Sequence, residues 1–190
     1  GPAAIGLDIY LPEPDQTSPD RVAGRLPPEQ HDLALSLRAL PSHETILARS
    51  LAAAPTVLGA AGFDFAALTT RKGLRSVPLA VTGRAPGPFV RHFPGVLASL
   101  PELQAAARGQ ALLSVDVQKG AVRRLPLLAA VGDQLIPGLA LEMLRVAAGA
   151  AAIEVVAGEH GVATMRVAEL SVPTQPNGEI WLRYAPLASG

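Results

Sequence analysis

Three groups of side chains in this sequence have types and spacings that could do chemistry. Asp8 closes the apolar opening "AAIGLDIY", and Glu13 and Asp15 follow it closely. Ligands of open α/β sheets gather beyond the carboxyl ends of strands, so these acids could form an acidic rim there. An aspartate in that position also caps or turns its own chain, a purely structural use. Paired carboxylates at Asp8 and Asp15 would suit a small hydrolase, although no activated nucleophile or base accompanies them. The second group lies in "SVDVQKGAVRRLPLLAAV", residues 114–131, where Arg123 and Arg124 could receive a carboxylate or phosphate. Neighbouring strand residues face opposite sides of a sheet, which prevents the two arginines from clamping one group. The third group is Trp181 and Tyr184, readable as a ligand-stacking pair or as core or interface aromatics.

The "RR" cluster also has an explanation without a ligand. A turn centred on Lys119 and Gly120 pairs Val117 with Val122 and sets Asp116 opposite Arg123. Such a cross-strand ion pair contributes about 0.2–1 kcal/mol. Asp116 and Gly120 are therefore read as structural. His31, His43, His92 and His160 are scattered without the spacing of metal ligands, so no metal is expected. The chain has no GxSxG elbow, Walker loop, GxGxxG or HExxH motif, so neither a catalytic residue nor a cofactor is assigned.

Elements must position these candidates, and composition says that they can. The 190 residues are 49% hydrophobic and 17% charged, enough for one domain with a real core. Sixteen basic and sixteen acidic residues cancel, which removes the positive field needed to attract nucleic acid. With no Cys there are no disulfides or thiolate sites, and a bacterial periplasm is compatible. No apolar stretch approaches the ~20 residues of a membrane span. Gly1-Pro2 reads equally as a protease scar or as native chain, and the blunt ends predict a piece excised from a longer protein.

Strands alternate with helices along the chain, predicting an α/β fold, with α+β as the alternative. Residues 12–28 carry five prolines and predict an irregular excursion. Leu33, Leu37 and Leu40 share one face of a helix in "HDLALSLRAL". Ser42 caps a second helix, with Glu44 in its first turn. "TVLGAA" and "VPLAV" read as strands, and "FDFAALTTRKGLRS" between them as a loop. Pro101 opens a short helix. A central hairpin follows, its second strand presenting Leu125, Leu127, Ala129 and Val131 on one face. Pro137 begins a last helix and Gly149 suits its left-handed end. That helix carries only Glu142 and Arg145 as charges and wants burial under the sheet or against another subunit. Three strands end the chain, at "AIEVV", "ATMRVAELSV" and "EIWLRYA", with Asn177-Gly178 as a hairpin-type turn between the last two.

Segment by segment the chain resembles the second class of CHASE domains. The resemblance lies in "AAIGLDIYLPEPDQTSP", "PSHETILARSLAAAPTVLG", "FPGVLASLPELQAAARGQALLSVD", "GAVRRLPLLAAVGDQLIPGLALEMLR" and "VPTQPNGEIWLRYAP", which together run over nearly the whole length. It departs from the family at Gln118 and Lys119, where acidic residues usually precede the hairpin glycine, and in lacking a first strand with a "WPW"-like segment. The resemblance implies an extracytoplasmic, periplasmic sensory module of a bacterial membrane protein. It would follow an N-terminal membrane helix and lead through further helices to an adenylate or guanylate cyclase, or to a histidine kinase. The fragment itself would be no enzyme. A small-molecule or ionic stimulus and a homodimer are the expected partners, and Asp8, Asp15, Arg123, Arg124 and Tyr184 the expected ligand contacts. A constitutive dimerisation and spacer module, resting on the apolar last helix, is the alternative.

Overall fold

The apolar opening of the chain forms a short strand, β1 (Ile5–Leu7). In the computed structural model, residues 1–65, 74–115, 117–118 and 120–185 are described. The proline-rich excursion holds one short helix, α1 (Pro19–Ala23), started by the preset φ of Pro19. Then come α2 (His31–Arg38) and α3 (His43–Ala52). The Ser42 hydroxyl accepts from the Thr45 backbone N–H at 3.1 Å, the expected cap. The uncharged run after Pro55 is β2 (Thr56–Phe63), whose first five residues are buried. It lies parallel to β1, Ile5 opposite Thr56.

The middle of the chain is more broken than its periodicity predicts. β3 (Leu79–Gly83) overlaps the expected strand "VPLAV" but starts two residues later and runs two residues past it. The turn-rich "GRAPGPFVRHFPG" then contributes two strands of its own, β4 (Arg91–Phe93) and β5 (Gly95–Leu97). Three residues are too few to show alternation, which hid both. α4 (Pro101–Ala106) starts at the expected proline and leads into β6 (Gly109–Leu112). β6 pairs in parallel with β2, and β5 pairs antiparallel with the far end of β2.

β7 (Val117–Gln118) pairs with β8 (Ala121–Val122) in the expected register, Val117 opposite Val122, and Gly120 takes φ 80°, while Lys119 lies outside the described residues. Asp116 lies outside the described residues. The two arms part beyond this pair. β9 (Arg124–Pro126) and β10 (Leu128–Val131) join different sheets, so the stripe Leu125, Leu127, Ala129, Val131 is cut at Leu127. Leu125 and Leu127 face one core and Ala129 and Val131 another.

Pro137 does not begin a helix. Gly132 and Asp133 make a two-residue turn that folds "QLIP" back onto β10 as β11 (Gln134–Pro137), where its backbone finds partners first. The helix starts two residues later, α5 (Leu139–Ala147), with the Gly138 carbonyl accepting from Glu142 N–H at 3.1 Å. Its end is as predicted. Gly149 takes φ 61°, and Ala150 N–H bonds back to the Arg145 carbonyl at 3.0 Å while Gly149 N–H bonds to Val146 at 3.2 Å, the Schellman arrangement.

β12 (Ile153–Gly158) follows, and "ATMRVAELSV" proves to be two strands, β13 (Gly161–Val167) and β14 (Leu170–Pro173). Between them Ala168 adopts φ 48°, a conformation that sequence reading expects of Gly or Asn. Gly178 is left-handed, as a turn requires, at φ 76°. That turn does not join a β14–β15 hairpin, because β15 (Glu179–Trp181) pairs with β9 instead.

The result is the α/β class expected, built as mixed sheets with helices against them. One sheet has β2 between β1 and its partners β5 and β6; a second runs β11-β10-β4; a third runs β14-β13-β12-β3. α5 lies across β6, β2 and β1. β10 is buried throughout and separates two cores, with Leu128 and Ala130 toward one and Ala129 and Val131 toward the other. A third core forms where Leu51, Leu58, Leu103 and Ala107 meet. The leucine face of α2 joins none of them. Leu33 is 51% exposed and Leu40 54%, and only Ala34 of that helix is buried.

Candidate functional site

Asp8 stands where the topology argument put it. β1 and β6 both run parallel to β2, so their carboxyl ends open on the same side. There a cleft of about 360 Å³ is bounded by Asp8, Leu113, Ser114, Leu125 and, from α5, Met143. Met143 comes close because Gly6 has no Cβ for its sulfur to meet. The Ser114 hydroxyl is already used, donating to the Gly62 carbonyl at 2.9 Å and accepting its N–H at 2.6 Å. The cleft is thus an apolar trough with one exposed carboxylate at its rim. It suits a small ligand with an apolar body and one donor or positive group.

Asp15 belongs to a different place. It borders a second cleft, of about 290 Å³, with Glu13, His43, Glu44 and Leu103. Its carboxylate lies 2.8 Å from His43 Nδ1 and accepts from Thr17 N–H at 2.8 Å and Thr17 hydroxyl at 2.7 Å. Behind it Glu44, only 8% exposed, accepts from Asp15 N–H and from the Ser18 hydroxyl, which in turn accepts from His43 N–H. Burial pushes the Glu44 carboxyl up, but hydrogen bonds from the Asp15 and Glu44 backbone and from Ser18 and Ser42 outweigh it and hold it below its ordinary value. This network latches the proline-rich excursion onto the start of α3. Asp8 and Asp15 line separate clefts, which leaves the paired-carboxylate hydrolase without its pair.

The latch has a pH signature. The hydrogen bond with His43, then those from Thr17, lower the Asp15 carboxyl from 3.8 to about 2. A depressed folded-state value stabilises the fold above 3.8 and is lost as pH falls toward about 2. Urea midpoints followed across that interval should fall for the parent chain and fall less steeply for Asp15→Asn.

The arginine pair splits, but Arg123 lies between β8 and β9 rather than beside Arg124 in one strand. Arg123 is exposed, while Arg124 lies over the Trp181 ring at 4.8 Å and 3.8 Å from Glu179. Arg124 and Trp181 are cross-strand partners, so a β9–β15 pair explains the contact. Tyr184 donates its hydroxyl to the Val122 carbonyl, and Leu182 N–H bonds to the Arg123 carbonyl at 2.9 Å. These contacts hold the last described segment along β8 and β9. They bring Arg124 and Trp181 together, but join neither to Asp8 or Asp15. Among the described residues no group of three or more His, Asp and Glu could hold a metal ion.

Sequence reading missed the Asp15–His43 contact and a polar pocket around Arg75, Arg108 and Gln110. Neither has a spacing signal, because the residues involved come from distant segments.

A family model, the CHASE2 domain, matches residues 1–189. The chain belongs to the CHASE2 domain family. CHASE2 domains are extracytoplasmic sensory domains rather than enzymes, and the match extends over both clefts and every described sheet. No curated protein and no solved structure matches this CHASE2 chain. Among its described residues no helix is long and apolar enough to cross a membrane.

Proposed function

We propose that this CHASE2 domain is the signal-sensing part of a bacterial transmembrane receptor, held in the periplasm and regulating an intracellular adenylate or guanylate cyclase or a histidine kinase. The family match over residues 1–189 carries the reading. A small-molecule or ionic stimulus is the input, and the Asp8 cleft is one place for it. To change the output, the stimulus must bind two arrangements of the receptor with different affinity. A homodimer of linked membrane helices would carry that difference inward.

The spacer alternative loses its support. It needed an exposed apolar side on α5, whose exposed positions are alanines, while Leu141 is buried and Leu139, Met143, Leu144 and Val146 are half-buried. The test is protease accessibility of the full-length gene product in spheroplasts, with cyclic-nucleotide synthesis and autophosphorylation assayed in its membranes. Digestion of the domain from outside, together with one of the two activities, is expected. A cytosolic parent protein without a membrane anchor would overturn the proposal.

A further inference from the structure

At the opposite end of β6 from the Asp8 cleft lies a small polar pocket of about 150 Å³, lined by Arg75, Arg108, Gln110, Glu142 and Arg145. Three arginines and a single glutamate line it, so basic residues are in excess. Glu142 is taken by Arg145, which donates from Nε at 2.8 Å and from a terminal nitrogen at 2.6 Å. Arg75 is anchored by donating to the Gln104 and Ala107 carbonyls. Among the described residues neither Arg75 nor Arg108 makes a close salt bridge, although the Arg75 charge acts on Glu142 from farther off.

The second observation is independent of charge. Gln110 is 0% exposed, and its Oε1 accepts from Arg75 N–H at 2.7 Å, which settles the orientation of the amide. Among the described residues its Nε2 then has no hydrogen-bond partner. A buried donor without an acceptor is costly and rare in a native fold. A water could satisfy the amide but could not neutralise the excess of positive charge. An oxygen-bearing anion does both.

We infer that this pocket binds a small oxyanion, a carboxylate or a phosphate of roughly the bulk of benzene or less, which is what a cavity of this volume holds. Guanidinium forks are matched to the paired oxygens of either group. Arg75 and Arg108 supply the charge and Gln110 a neutral donor beside them. The residues come from the chain before β3, the start of β6 and α5, so an occupant would tie the first sheet to the helix that lies across it.

The test is calorimetric titration of the 190-residue chain at low ionic strength with sodium acetate and, separately, with inorganic phosphate, each against matched sodium chloride. Saturable binding of at least one is expected. Arg108→Gln, an exposed position whose loss leaves the fold intact, and Arg75→Gln should each weaken it about tenfold or more. Arg84→Gln, at an exposed arginine paired with Glu159 elsewhere, should leave it unchanged. Binding of acetate alone marks a carboxylate site, and of phosphate alone a phosphate site. Saturation by neither, or equal binding by Arg108→Gln and the parent chain, overturns the inference. It rests on the sensory reading only for its role as an input, since failed titration leaves the receptor proposal standing and a cytosolic parent protein leaves the binding result standing.

Discussion

Replacing Arg145 by methionine should lower the stability of this domain by about 3–5 kcal/mol, the cost of stranding a buried carboxylate. Glu142 is 0% exposed and its two oxygens both accept from the Arg145 guanidinium. Burial already pushes the Glu142 carboxyl above its ordinary value, with the Arg145 hydrogen bonds opposing it. Without Arg145 only the Arg75 charge still opposes burial, and the carboxyl rises further. A raised folded-state value means that the native chain holds a proton which the unfolded chain has released. The deficit should therefore grow as pH rises above the ordinary carboxylate range. Urea unfolding at several pH values measures it. Glu142→Leu combined with Arg145→Met should recover most of the loss, because a well-packed apolar pair carries no desolvation cost. A single variant that unfolds like the parent chain at every pH would show that water reaches Glu142.

Leu128→Ala should cost about 3 kcal/mol, whereas Leu33→Ala should stay within about 0.5 kcal/mol. Both leucines sit in segments whose pattern calls for burial. Leu128 is 1% exposed in the strand that separates two cores, so truncation removes apolar contact and leaves a cavity that the flanking strands cannot close. Leu33 is 51% exposed on α2 and has little packing to lose. Thermal or urea unfolding of the two variants side by side distinguishes them, and a comparable loss for both would contradict the exposure of α2.

Much of the local structure follows from residue chemistry within a few positions. Ser42 caps α3 because a hydroxyl there reaches the third N–H of the helix, and Gly149 ends α5 because a left-handed residue is needed. The Val117–Val122 register is the one that the Lys-Gly pair predicts, with Gly120 left-handed at φ 80°. In each case cause and effect lie close together along the chain.

Where the partner is distant, the pattern left the outcome open. Pro137 ends β11 because β10 was there to pair with, and "ATMRVAELSV" folds back on itself at an alanine that no turn rule singles out. Periodicity marked the leucine face of α2 correctly but could not say whether anything covers it. Asp15 meets His43 across 28 positions, and the Arg75 backbone meets Gln110 across 35. By itself the sequence determined the fold class, the absence of thiol chemistry, the caps at Ser42 and Gly149 and, through its resemblance to CHASE domains, the family. Tertiary structure alone decided that Asp8 and Asp15 border different clefts, and that three arginines and a buried amide share one pocket. Such sites are made by chain segments that only long-range packing brings together, and spacing along a chain carries no record of that.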